Sequence, residues 1–124
     1  MADATIVSVV NTPSDQIANK TLANTWSATQ TFNGGIIKKI TSITDTYTIL
    51  VSDISIVCNK ATSFTVTLPT AVVGQIFDIF NIGVGAVTIE GAASDTIDGE
   101  LNQIIKQNEA ITITCYVANK WKII

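Results

Sequence analysis

Three carboxylates, Asp95, Asp98 and Glu100, stand close together around one glycine, and oxygen ligands in that spacing could hold a hard cation. The spacing matches no EF-hand loop, and Asp98-Gly99 equally suits a solvated hairpin tip, which is the expected reading. Gly83-Val84-Gly85 is a fragment of the glycine pattern that cradles dinucleotide phosphates. It lacks the third glycine and a following helix, so a turn is expected there. The chain has no His, and with it goes the commonest general base and metal ligand. A serine triad in its usual form is excluded, and no serine sits in a nucleophile-elbow context that would support a Ser-Lys pair. The expectation is a protein that is not an enzyme, with no catalytic residue, cofactor or metal ion.

Two further sets of residues are reactive or sticky by type. Cys58 and Cys115 lie at the ends of apolar alternating runs. Buried, unreactive thiols are expected, with a cross-strand disulfide as the alternative, and two cysteines without a histidine do not make a zinc site. Trp26, Phe32, Tyr116 and Trp121 could form an aromatic platform for a glycan. Packing anchors at strand ends or between subunits are the other reading of the same four residues, and the favoured one.

The elements that must position these groups are strands. Ile, Val and Thr make up about two-fifths of the 124 residues, which suits a pleated surface. Ile54, Ile56 and Cys58 alternate with Ser55 and Val57. Phe64, Val66 and Leu68 alternate with Thr65 and Thr67 up to Pro69, and Ile111, Ile113, Cys115 and Val117 alternate with Thr112, Thr114 and Tyr116. The stretch from Ile76 to Ile82 is apolar on both faces, which predicts a strand buried from two sides at a subunit contact and makes Phe77 and Phe80 interface candidates. Gly83-Val-Gly85, Asp98-Gly99 and Asn119-Lys120 fall where hairpin turns are needed. These runs predict about seven to nine short antiparallel strands, in a sandwich or barrel-like head over 45–124.

Ahead of the head the pattern thins. Residues 1–25 read as an arm, and 26–44 as a shaft-like segment in which isolated large apolar residues are separated by small and polar ones. Leu22, Trp26, Phe32 and Ile36 are too sparse to build a core in one chain, but copies of the chain meeting around an axis would bury them. Only 14% of residues are charged and mean hydropathy is +0.41, so a chain this short is expected to cover apolar surface with further copies of itself. No run approaches the roughly 18 apolar residues of a membrane span, so membrane insertion is not expected. A net charge of −3 without any Arg argues against nucleic acid. The N-terminus lacks the basic region of a signal peptide, so folding in a cytoplasm is expected.

The segment Asn19-Lys-Thr-Leu22, followed by Asn24-Thr-Trp-Ser-Ala-Thr-Gln-Thr-Phe-Asn-Gly-Gly-Ile36, resembles one that recurs in bacteriophage tail-fibre and virion-appendage proteins. Val66-Thr-Leu-Pro-Thr70, the Gly74–Gly83 stretch ending Asn-Ile-Gly, Val87-Thr-Ile89, Asp95-Thr-Ile-Asp-Gly99 and the closing Asn119-Lys-Trp121 extend the likeness. The resemblance implies a homotrimeric, β-rich, non-enzymatic virion protein, assembled in the host cytoplasm. It would be anchored to a phage capsid or tail protein through residues 1–25, with the head presented outward. The length suits a head fibre or capsid-decoration protein better than a full tail fibre. A receptor- or glycan-binding adhesion module of a phage is the alternative function, with a host surface glycan or receptor as partner.

Overall fold

The structure, a computed structural model, describes residues 27–124. The arm (1–25), Leu22 and Trp26 lie outside the described residues. The chain divides into two units between Ile36 and Ile37. In the first, residues 27–36 form neither strand nor helix, and both Phe32 and Ile36 are exposed.

The second unit is all strand. In chain order the strands are β1 (Ile40–Ile43), β2 (Tyr47–Thr48), β3 (Ser55–Cys58), β4 (Phe64–Thr67), β5 (Ile76–Asn81), β6 (Val87–Glu90), β7 (Thr96–Ile97), β8 (Asn102–Ile105), β9 (Glu109–Val117) and β10 (Lys120–Ile123). Among the described residues there is no helix. The all-β expectation holds, but the pairing differs from the antiparallel one expected. A six-stranded sheet runs β1-β3-β5-β9-β10-β7 and a four-stranded sheet runs β2-β4-β6-β8. From β1 to β6 the chain alternates between the two sheets, and like strands pair in parallel. This is a solenoid-like winding of three coils. Only β8, β9 and β10 close it with antiparallel pairs.

The second and third coils are in register throughout. Ser55 pairs with Asp78 and Thr67 with Glu90, each 23 residues on. The same spacing persists through the corner, where a side chain on Gly83 would strike the Lys60 backbone and one on Gly85 would strike the Thr62 carbonyl. Gly83-Val-Gly85 is therefore the corner of a coil and not a hairpin. Glycine is required there because two backbones stack without room for a Cβ. The corner is pinned by Asn81, which is buried but satisfied. Its Nδ2 donates to the carbonyls of Gly85 (2.9 Å) and Ile105 (3.3 Å), and its Oδ1 accepts from the Gly83 amide (3.0 Å).

Between the sheets lies one core, built from the inward residues of the alternating runs: Ile56, Cys58, Phe77, Ile79 and Ile113 from one side, Phe64, Val66, Val87 and Ile89 from the other. Trp121 on β10 closes it, its ring 5.9 Å from that of Phe77. The β9–β10 hairpin turns at Asn119, whose φ of 64° suits asparagine, as the sequence predicts.

The first coil is tied by a carboxylate. Asp53 accepts from Thr41 Oγ1 (2.8 Å), Tyr47 Oη (2.8 Å), the Leu50 amide (2.9 Å) and Lys39 Nζ (3.2 Å), and its side chain is almost wholly buried. Burial alone would push this carboxyl up, but those four donors outweigh it and hold it at about 2, against an ordinary 3.8. A depressed carboxyl contributes stability above the unfolded value and loses it as pH falls through the folded value. The knot should therefore weaken between 3.8 and about 2, a loss of about 2 kcal/mol. Urea midpoints of wild type and Asp53→Asn, compared across that range, should converge as pH falls. A gap that stays constant would show that the carboxylate charge does not hold the coil.

Candidate interaction face

The outward residues of the six-stranded sheet follow from register. In β5 the alternation places Phe77, Ile79 and Asn81 inward and Ile76, Asp78 and Phe80 outward. Across the sheet Phe80 is flanked by Val57 and Ala110, and Asp78 by Ser55 and Thr112, with Ile40 beyond Ser55. The face thus presents an apolar cluster of Ile40, Val57, Ile76 and Phe80, set among Ser42, Ser55, Asp78, Thr112, Thr114 and Lys122. Ile40 is 62% exposed, Ile76 54% and Phe80 37%. On this part of the face the single carboxylate is already matched. Lys38 pairs with Asp78, Thr112 Oγ1 donates to it (2.8 Å), and Ser55 Oγ lies at 3.4 Å. The Lys38 ammonium, with Thr112 and Ser55, holds the Asp78 carboxyl below its ordinary value against the opposing effect of burial. Such a surface can be desolvated without stranding a bare charge.

The outward side of the four-stranded sheet is different in kind. It carries Thr48, Thr65, Thr67, Thr88, Glu90 and Asn102, with Ile104 as an apolar exception. Hydroxyls and amides of that sort are at home in water, and Thr67 Oγ1 donates to Glu90 (3.0 Å). The two outer faces of one solenoid therefore differ in what they ask of their surroundings.

The residues singled out by sequence scatter. Phe77, expected at a subunit contact, is buried in its own chain's core, so Phe80 alone of that pair faces outward. The expectation that both faces of β5 are buried fails within the chain for the same reason. Trp121 is inside and Tyr116 outside, so these two make no common platform. Asp98 Oδ1 pairs with Lys122 (3.1 Å) and accepts from the Ile123 amide (3.3 Å), Glu100 is exposed, and Asp95 is buried. Among the described residues no three His, Cys, Asp or Glu gather as a metal site. Both cysteines are free and buried. Burial pushes the Cys58 thiol up to about 11 and raises Cys115 as well, which keeps them protonated and unreactive at neutral pH.

Sequence reasoning missed the Asp53 knot and the coil repeat. The repeat left a signal: Ser55-Ile-Val-Cys58 and Phe64-Thr-Val-Thr67 recur as Asp78-Ile-Phe-Asn81 and Val87-Thr-Ile-Glu90. A cleft of about 390 Å³ also opens between β8 and β9, lined by Gln103, Ile105, Ala110, Ile111 and Ile123. Its carboxylate, Glu109, accepts from the Lys106 amide (2.6 Å), and the remaining lining is aliphatic apart from Gln103. No family model, curated protein or solved structure matches the chain.

Proposed function

We propose that the protein is a non-enzymatic structural protein of a bacteriophage virion, a homotrimeric fibre or decoration protein. In this reading it assembles in the host cytoplasm, is held on the capsid or tail by residues 1–25, and presents its β-rich part outward. The observation that carries self-assembly is the charge-matched apolar cluster of Ile40, Val57, Ile76 and Phe80 on one outer face, the other outer face being mostly polar. Copies meeting through that face would remove from water side chains worth about 1.5–3 kcal/mol each when fully buried. The exposed Phe32 and Ile36 add the same demand ahead of the strands. The assignment to a phage particle rests on the resemblance of residues 17–124 to virion-appendage proteins.

Light scattering of the full chain, and of the chain without residues 1–25, tests the assembly. A trimer mass in both supports a fibre whose arm is an anchor, and a monomer at micromolar concentration overturns it. Within a trimer, Trp26→Ala and Phe32→Ala should each weaken assembly by about 1–3 kcal/mol while leaving the unfolding midpoint of 37–124 in place. Unchanged trimer stability in both variants would remove Trp26 and Phe32 from the interface.

A further inference from the structure

We propose that the Asn33-Gly34 bond is a self-modification site, at which Asn33 deamidates through a cyclic imide to aspartate and isoaspartate. It is the one Asn-Gly pair in the chain. Both residues are exposed, in a stretch that forms neither strand nor helix. A side-chain carbon built on Gly34 or Gly35 would meet nothing within 4 Å, so the Gly34 nitrogen has an open approach to the Asn33 carboxamide. Glycine also leaves the backbone free to reach the ring-closing geometry. Among the described residues the Gly34 amide donates no backbone hydrogen bond that closure would have to break.

The step needs only solvent water. The Gly34 nitrogen attacks Asn33 Cγ, the new C–N bond forms, and the side-chain nitrogen leaves as ammonia with the proton that the amide gives up. Water then opens the imide. Attack at Cγ returns a normal aspartyl bond, and attack at the main-chain carbonyl leaves the chain running through the side chain as isoaspartate. Either product adds a carboxylate, and the second adds a methylene to the main chain between Phe32 and Ile36.

Other candidate bonds are slower. Every other asparagine precedes a residue with a side chain, and the Asn81 carboxamide is held from three directions. Asp98-Gly99, the one Asp-Gly pair, could close the same ring. Its carboxylate is tied to Lys122 and the Ile123 amide, and its own amide donates to the Trp121 carbonyl (3.0 Å), so the turn is locked.

The full chain is held at mildly alkaline pH in water enriched in heavy oxygen, and peptides are mapped by fragmentation that distinguishes isoaspartate. Label should enter residue 33 roughly tenfold faster than any other Asn or Asp98, and Gly34→Ala should slow it by about the same factor. No label at residue 33, a rate equal to that at Asn59 or Asn119, or indifference to Gly34→Ala would each overturn the proposal. The consequence for assembly rests on the trimer reading, in which like charges would collect around one axis. Aged protein should then lose trimer mass in step with labelling, and full labelling with an unchanged mass overturns that consequence. A chain that is monomeric from the start sinks the trimer reading, and labelling at residue 33 still supports the modification.

Discussion

Gly85→Ala is expected to cost about 3 kcal/mol or more, enough to leave a large fraction of a domain this small unfolded at 37 °C. The added methyl would strike the Thr62 carbonyl and the Ser63 amide nitrogen, which are backbone and cannot swing aside. The Gly85 amide donates to the Lys60 carbonyl (2.9 Å) and its own carbonyl accepts from Asn81, so any shift that relieves the clash breaks the corner's hydrogen bonds. Gly34→Ala supplies the control, since that glycine has open space around it and the same exchange there should change stability little. Urea unfolding of both variants decides the matter. Equal midpoints would mean that the corner is not stacked as tightly as the second and third coils require.

Phe80→Lys is expected to yield folded monomers, raising the dissociation constant of the assembly by about two orders of magnitude. Phe80 faces outward between Val57 and Ala110, so its loss removes nothing from the core, and a lysine there would add an unmatched charge to a face whose carboxylate is already paired. Circular dichroism and the urea midpoint of the monomer should match wild type once protein concentration is taken into account. Phe77→Lys is the contrasting variant: the same residue type three positions away is buried against Trp121, and a lysine there should abolish folding. A Phe80→Lys protein that stays trimeric would move the interface off this face.

Much of the inward-facing set was legible without coordinates. Phe64, Val66 and Leu68, and likewise Ile113 and Cys115, alternate with polar neighbours, and alternation on a pleated strand assigns faces locally. The turn at Asn119 was legible for the same local reason, because few residues accept a positive φ. Ile76 to Ile82 was not legible. When both faces of a strand carry Ile and Phe, period two cannot say which points inward, and the answer came from the neighbours β3 and β9. The Asp53 knot was hidden too, since its donors come from Lys39, Thr41, Tyr47 and Leu50 on separate stretches.

What the amino-acid sequence determined by itself is the strand-forming character of residues 40–123, the polarity of most faces and the positions of the tight turns. Each of these depends on side-chain bulk and backbone freedom over a few neighbouring residues. What only the tertiary structure decided is that successive strands alternate between two sheets, that the second and third coils pair in parallel 23 residues apart, and that one outer face gathers an apolar cluster while the other is mostly polar. Backbone hydrogen bonds between strands are made by every residue type, so a strand's composition does not name its partner. That choice falls to the corners, where Gly83 and Gly85 let one coil settle on the last.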